Sequence, residues 1–535
     1  MKYEFETRCI HPANLELKQH PYGAVSIPIY QTAIFSHPGI GESRGHNYSR
    51  ESNPTRAYLE EIISNLEGAV DTVACSSGMA AISLVLELFS SGDHLICSND
   101  LYGGSTRLFT LQQNKGLKFS YVDTTNLKSF KQYIRPQTKA VFIETPSNPT
   151  MQISDLKKIS ALCQAHKLLL IVDNTFLSPY FQNPLLLGAD IVIHSATKFL
   201  SGHNDIIAGS ISTGDHKLAK RIREVSKTVG NSLSPLDCYL LIRGIKTLAI
   251  RQKSQQENAL KISNWLNRHP RVSKVYYPGL IEHPGYEINR NQARGFGSMI
   301  AFSVENHFLA KKILENVQLI TYAESLGGVE SLITYPMIQT HGDVPAEIRA
   351  KLGITDNFLR LSVGIENIDD LYGTQKFISP EAYAKYKIKP RIGDVFMTRI
   401  TAGVIGKCTV VDRDDDLAYY VSLALLRPNA NILDSKYLKY YLESGWGRKE
   451  LSKWILWDAT PTKINKDDIG RVLISVPPLD TQKRLVQVIE HFDAICTDLN
   501  IGLPAEIEAR QKQYEYYRDL LLTFAETGST LMTDR

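Results

Sequence analysis

Between residues 72 and 212, short branched apolar runs alternate with segments of helical spacing, and this alternation constrains the fold more than any other feature of the chain. Val141-Phe142-Ile143, Leu168-Leu169-Leu170-Ile171-Val172 and Ile191-Val192-Ile193 are continuously apolar, the pattern of strands covered on both faces. Between the first two, Asp155 to His166 sets Leu156, Ile159 and Leu162 on one helical face, with Asp and Lys facing out. Strand, helix and strand repeated in this way predict an α/β fold built on a mainly parallel sheet. Ligands of such sheets gather beyond the C-terminal strand ends. The chemistry is therefore expected just after these runs.

At 535 residues the chain is too long for one core, and three or more domains are expected. With 43% hydrophobic and 22% charged residues it is neither disordered nor collagen-like nor a small disulfide scaffold. No run approaches ~18 apolar residues, and Met1-Lys2-Tyr3-Glu4-Phe5-Glu6 has no apolar signal core. The seven cysteines are scattered with no Cys-x-x-Cys pair, which suits a reducing cytoplasm and offers no zinc site. No metal-ligand spacing occurs elsewhere, and a net charge of +4 is too mild to imply nucleic acid. A cytoplasmic protein is expected.

Five polar groups fall where the sheet argument places chemistry. Ser195-Ala196-Thr197-Lys198 follows a buried strand, where apolar surroundings would lower the lysine pKa and make it a competent Schiff-base amine. A lone lysine after a strand is more often a solvated surface residue. Asp173-Asn174-Thr175 ends the preceding strand; a carboxylate there could hold a pyridinium nitrogen protonated, although an Asp-Asn pair is by default a turn or cap. Ser76-Ser77-Gly78-Met79-Ala80 opens a helix, which reads equally well as a phosphate cradle and as an ordinary N-cap. Tyr102-Gly103-Gly104 sets an aromatic beside a flexible loop, and Tyr48-Ser49-Arg50 supplies a phenol and a guanidinium suited to phosphate. Each signal alone is modest; their shared placement is what carries weight.

Residues 1 to about 371 resemble the Cys/Met-metabolism enzymes that depend on pyridoxal phosphate (PLP), among them cystathionine γ-lyase, β-lyase and γ-synthase and methionine γ-lyase. The motifs occur in order: Tyr48-Ser49-Arg50 with Asn53-Pro54-Thr55, Ser77-Gly78-Met79, Tyr102-Gly103-Gly104, Glu144-Thr145-Pro146-Ser147-Asn148-Pro149, Asp173-Asn174-Thr175, Ser195-Ala196-Thr197-Lys198, Ser325-Leu326-Gly327-Gly328-Val329-Glu330-Ser331 and Arg360-Leu361-Ser362-Val363-Gly364. The resemblance implies the type I PLP-dependent transferase fold, with a smaller C-terminal α/β subdomain after the large domain. By the same resemblance Lys198 would hold the cofactor and act as the mobile base, Asp173 would pair with the ring nitrogen, and Tyr102 would stack on the ring and assist proton transfer. Ser77, Gly78, Met79, Asn148, Thr175, Ser195 and Thr197 would complete the cofactor site. Tyr48 and Arg50 would reach the phosphate from a neighbouring subunit, making a homodimer obligatory and a dimer of dimers usual. Arg360, Ser325, Leu326 and Asn148, with Tyr48, would hold the substrate, and Arg360 would clamp its α-carboxylate. Glu324, Arg107 and the stretch from Gln339 to Arg349 resemble the lyases. The implied reaction is cleavage of L-cystathionine to cysteine, 2-oxobutanoate and ammonia, with γ-synthase and β-lyase chemistry as alternatives on the same core.

Beyond residue 371 the chain changes character. Seventeen basic residues face twelve acidic ones over 372–471, and six face ten over 472–535. Gly393-Asp394-Val395-Phe396-Met397-Thr398-Arg399, Pro477-Pro478-Leu479 with Gln482-Lys483, and Gly502-Leu503-Pro504-Ala505-Glu506-Ile507 followed by Gln513-Tyr514-Glu515-Tyr516-Tyr517-Arg518 resemble the DNA-specificity subunit of type I restriction–modification systems. Ile507, Tyr514, Tyr517 and Leu521 make an apolar stripe that would pair with a second helix. The resemblance implies a partial α+β target-recognition domain and a long helical tail, with DNA or a methyltransferase subunit as partner. The front of that domain and a second one are missing, and the small basic excess is thin for reading DNA. Expected domains are a 1–60 arm, a 61–250 cofactor domain, a 251–371 substrate subdomain shortened at its end, a 372–478 recognition-like domain and a 479–535 tail. A DNA-specificity or methyltransferase-docking module with a passenger enzyme half is the rival reading.

Overall fold

This computed structural model describes residues 3–11, 22–342, 344, 346–371, 383–385, 388–401, 404–412, 417–459 and 461–497, without side chains at Ser129 and over 491–497. The start of the second half at 372–382 and the helical spacer from Gly502 to Leu521 lie outside the described residues, as do Asp343 and Pro345. The chain divides into two units, residues 1–375 and 376–535.

The first unit is organised by a seven-stranded sheet: β1 (Asp71–Cys75), β2 (His94–Ser98), β3 (Lys118–Val122), β4 (Thr138–Glu144), β5 (Leu169–Asp173), β6 (Ile191–His194) and β7 (Gly209–Thr213). The spatial order is β1-β7-β6-β5-β4-β2-β3. β3, β2, β4, β5 and β6 run parallel, and β7 is antiparallel to both of its neighbours. Both faces are covered, which explains the continuous apolar runs. Phe142, Ile171, Ile191 and Ile193 enter one core with Ile82, Val85 and Phe109. Their strand neighbours Val141, Ile143, Leu170, Val172 and Val192 enter another with Leu156 and Ile159 on the opposite face. The helix joining β4 to β5 runs Leu156–Ala165; Asp155 caps it by accepting from the Lys158 amide at 3.1 Å, and His166 ends it.

The long helix Leu248–Arg268 leads to a five-stranded sheet of β8 (Val272–Tyr276), β9 (Met299–Val304), β10 (Thr321–Tyr322), β11 (Leu332–Thr334) and β12 (Phe358–Ser362), ordered β10-β11-β12-β9-β8. Its core joins Tyr277, Ile300, Phe302, Ile333, Leu359 and Leu361 to Ala259 and Ile262 of that helix. A helix of four residues, Ile368–Leu371, follows.

The second unit has its own core, in which Val395, Met397, Leu438, Leu442, Leu451 and Ile464 pack together. It contains β13 (Val395–Thr398), β14 (Ile400–Thr401), β15 (Cys408–Val410), β16 (Leu423–Leu426), β17 (Ile455–Leu456) and β18 (Thr462–Ile464), paired as β15-β13-β16 and β14-β18-β17. Two of its sequence motifs serve this packing. Asp394, 2% exposed, accepts both arms of the Arg427 fork, at 2.7 and 2.6 Å. Gln482, fully buried near the start of the helix Leu479–Thr497, donates to the carbonyls of Ile432 and Pro477 and accepts from the Asp434 amide. Among the described residues no helix is long and apolar enough to cross a membrane, and no cluster of His, Cys, Asp and Glu has the arrangement of a metal site. The six cysteines whose side chains are described are free and buried.

Candidate active site

The C-terminal ends of β4, β5 and β6 bring Glu144, Asp173 and the Ser195–Lys198 turn to one edge of the sheet. Thr175 ties two of these ends together. Its amide and hydroxyl donate to Asp173 Oδ1 at 3.0 and 2.6 Å, and its Oγ1 accepts from the Ser195 amide at 2.9 Å. Burial raises the Asp173 pKa against these hydrogen bonds and the nearby His194. Behind it, His194 Nε2 and Glu67 Oε1 share a short hydrogen bond in the interior. Thr197 is fixed by an exchange with Ala208, its hydroxyl donating to the carbonyl and accepting from the amide.

Lys198 Nζ donates to Ser325 Oγ at 2.7 Å across 127 residues of sequence. Burial, with Arg360 adding and Glu324 opposing, lowers the lysine pKa to about 8. About a fifth of the amine is then neutral near physiological pH, far more than for an ordinary lysine. Ser325 itself takes φ +101°, a left-handed conformation unusual for a side-chain-bearing residue. Its carbonyl accepts from Arg360 Nη2 at 3.0 Å.

Arg360 stands in β12 with 1% exposure. Its Nη1 donates to Asn148 Oδ1 at 2.8 Å, and its Nη2 also donates to Thr334 Oγ1 at 3.1 Å, from its register partner on β11. Burial lowers the Arg360 pKa to about 10, so the guanidinium stays charged at neutral pH. Its Nε is buried with no hydrogen-bond partner, a donor and a charge awaiting an acceptor.

Ser77 caps the helix Gly78–Leu86, accepting from the Ala80 amide at 2.9 Å, and leaves the amide-rich helix start facing the Ser195 turn. A Cβ on Gly78 would fall 2.8 Å from Ser195 Cβ, so only glycine allows this approach. Met79 and Tyr102 meet at Gly104, where an added Cβ would fall 3.1 Å from Met79 Sδ and 2.4 Å from Tyr102 Cε1. Tyr102, 39% exposed, begins the helix Gly103–Gln113, and Arg107 lies exposed on that helix. Leu326 is buried in the core beneath Ser325. Beside Lys198, a cavity of about 410 Å³ is lined by Thr197, Asn204, Asp205, Ile206, Glu324 and Ser325, among others.

A helix start rich in amides, two hydroxyls at Ser195 and Thr197, a depressed lysine and a strand-end carboxylate are the donor set that a phosphorylated pyridine aldehyde needs, and these residues fit one. Tyr48 and Arg50 stand apart from this group. Tyr48 is 45% exposed, and the Arg50 guanidinium lies over its ring at 5.5 Å and donates to the Lys227 carbonyl. Among the described residues neither is hydrogen-bonded to Lys198, Asp173 or Arg360. Sequence reasoning assigned no role to Thr334, His194 or Glu144. Only Glu144 carried a usable signal, a charge ending an apolar strand as Asp173 does.

The lysine value leads to a measurable pH dependence. Schiff-base formation needs the neutral amine, whose fraction rises with pH and levels off above the lysine pKa. The rate of PLP uptake by cofactor-stripped protein should climb through a midpoint near the lysine value of about 8 and then flatten. Glu324→Gln removes a charge that raises that pKa, and stopped-flow absorbance should show its midpoint moved down.

Residues 6–374 match the family model described as Cys/Met metabolism PLP-dependent enzyme, and residues 365–509 match the type I restriction modification DNA specificity domain. A protein named cystathionine beta-lyase from Lactococcus lactis subsp. cremoris is 49% identical over 350 residues, covering 65% of this chain and 92% of that protein. One named cystathionine gamma-lyase from Bacillus subtilis is 47% identical over 350 residues, with the same coverage. The crystal structure of cystathionine gamma-lyase from Lactobacillus plantarum complexed with L-serine superposes with a TM-score of 0.67 at 45% identity, over 69% of this chain and 96% of that one.

Proposed function

The chain belongs to the Cys/Met metabolism PLP-dependent enzymes, and we propose that within this family it is a carbon–sulfur lyase that converts L-cystathionine and water to cysteine, 2-oxobutanoate and ammonia. The observation that carries the reading is the cavity beside Lys198, which has Glu324 and Asp205 in its wall, near the buried Arg360 fork. Arg360 would bind the α-carboxylate, filling the vacancy at its Nε, and Glu324 would meet the distal ammonium. Lys198 Nζ would take the α-proton, oriented by Ser325 Oγ. Gly78, Met79, Ser77, Ser195 and Thr197 would hold the cofactor phosphate, Asp173 and Thr175 its ring nitrogen, and Tyr102 its ring face. When bound, PLP supplies the electron sink that makes the α-proton labile and lets a β- or γ-substituent leave.

The first test is product analysis with L-cystathionine. Accumulation of 2-oxobutanoate supports γ-elimination; pyruvate moves the reading to the β-lyase, which the Lactococcus relative's name favours. No keto acid at all, with cystathionine formed when cysteine and an activated homoserine ester are supplied, would make the chain a synthase. A second reading rests on the match over 365–509, which favours contact of the second unit with DNA or a methyltransferase subunit. Its test is fluorescence anisotropy against duplex DNA across a salt series, where phosphate contacts give a steep loss of affinity.

The exposed Tyr48 and Arg50 lead to a sharing prediction. If they complete a neighbouring copy's site, Lys198→Ala and Arg50→Ala variants, each nearly inactive, should rescue one another when coexpressed. Random pairing makes half the dimers mixed with one intact site each, so about a quarter of wild-type activity should return. No recovery, with mixed oligomers demonstrated, would place both residues in their own chain's site.

A further inference from the structure

Glu144 is a buried carboxyl at this sheet edge with no part in the proposed reaction. β4 and β5 are parallel, and their register sets Glu144 beside Asp173, so both side chains leave the sheet on the same side. Glu144 is 6% exposed. Its Oε2 accepts from the main-chain N–H of Tyr102 at 2.9 Å, across 42 residues of sequence. Tyr102 precedes the helix Gly103–Gln113 and offers no side-chain cap of its own. The following residue is pressed against another segment, since a Cβ on Gly103 would fall 2.4 Å from the Thr340 carbonyl.

We propose that Glu144 is a positioning residue: its hydrogen bond to the Tyr102 amide fixes the placement of the tyrosine that meets the cofactor ring. This rests on the PLP reading given above. The surroundings of Glu144 say which form of the carboxyl does the holding. Burial and then Asp173 raise its pKa well above the ordinary range, Asp100 adds to the rise, and the Tyr102 amide and Arg360 oppose it. Burial and the neighbouring Asp173 both favour the neutral acid. A neutral carboxyl accepts through its carbonyl oxygen as a glutamine amide does, so Glu144→Gln should retain the hydrogen bond and the shape. Alanine and leucine remove the acceptor, and leucine keeps most of the volume.

The experiment uses the full chain as purified and after PLP is supplied, comparing wild type with Glu144→Gln, Glu144→Ala and Glu144→Leu, each shown to be folded by circular dichroism. Hydrogen–deuterium exchange of the peptide spanning Leu101 to Gly104 reads the tether directly, and titration of the visible cofactor band reads its consequence. Glu144→Gln should keep wild-type protection and bind PLP within about twofold of wild type. Ala and Leu should exchange about tenfold faster and bind PLP about tenfold more weakly, the scale of one lost hydrogen bond in a buried site. Rescue by glutamine separates positioning from bulk packing. Wild-type exchange in Ala and Leu would overturn the proposal, as would a Gln variant as impaired as they are, since charge and not the hydrogen bond would then matter. If Ala alone fails to fold, Leu decides. If the wild-type chain takes up no PLP, the cofactor reading falls while the exchange data still decide whether Glu144 holds Tyr102.

Discussion

Lys198→Ala is expected to reduce kcat/KM by about ten-thousand-fold or more and to eliminate the visible band of lysine-bound cofactor, while the chain stays folded. The magnitude follows from two losses at one atom, the covalent attachment point and the base that takes the α-proton, each of which supports rates by orders of magnitude. Folding should survive because the substitution removes an ammonium that burial already disfavours. The partner left behind, Ser325 Oγ, loses one donor, and a hydroxyl can accept from another. Keto-acid release and an absorbance scan on the same sample read both effects. Retention of more than about a hundredth of wild-type turnover would remove Lys198 from the centre of the site.

Arg360→Lys is expected to raise KM about a hundredfold with a much smaller change in kcat. The guanidinium reaches Asn148, Ser325 and Thr334 at once while its Nε stays free, and a single ammonium cannot reproduce that fork. Losing a desolvated, bidentate carboxylate contact costs about 2–5 kcal/mol, which brackets two orders of magnitude. Arg360→Met supplies the complementary measurement. Arg360 helps to depress the Lys198 pKa, so methionine should move the midpoint of PLP uptake to higher pH, while lysine, which keeps the charge, should leave it nearly in place. A midpoint that ignores both changes would show that the Arg360 charge does not act on the lysine. Saturation kinetics and the uptake profile together separate the carboxylate role from the electrostatic one.

Much of the site was legible along the chain because its signals are local. A charge closing an apolar run marks a strand end, which is how Asp173 was found, and Ser195 to Lys198 follow β6 directly. The continuous apolar character of β4, β5 and β6 announced two covered faces, and the opposite cores on either side bear that out. The same signal at Glu144 went without a role because its meaning depends on Tyr102 and Asp173 lying beside it. Thr334 gave no signal, being one polar residue in a three-residue strand. In the second unit the Asp394 and Gln482 motifs were read for their resemblance; their observed partners show what they do for that unit's own packing.

The sequence by itself determined the α/β class and the family and pointed to the groups proposed to bear the chemistry, since periodicity, strand ends and motif order are properties of neighbouring residues. Only the tertiary structure decided how those groups meet. Lys198 meets Ser325 across 127 residues, and Arg360 meets Asn148 across 212. These meetings, and the burial that brings the lysine pKa to about 8, arise when two separately ordered sheets close on one another. A side chain's pKa and its partners are set by the dielectric and the charges around it in space, and distance along the chain carries no record of them.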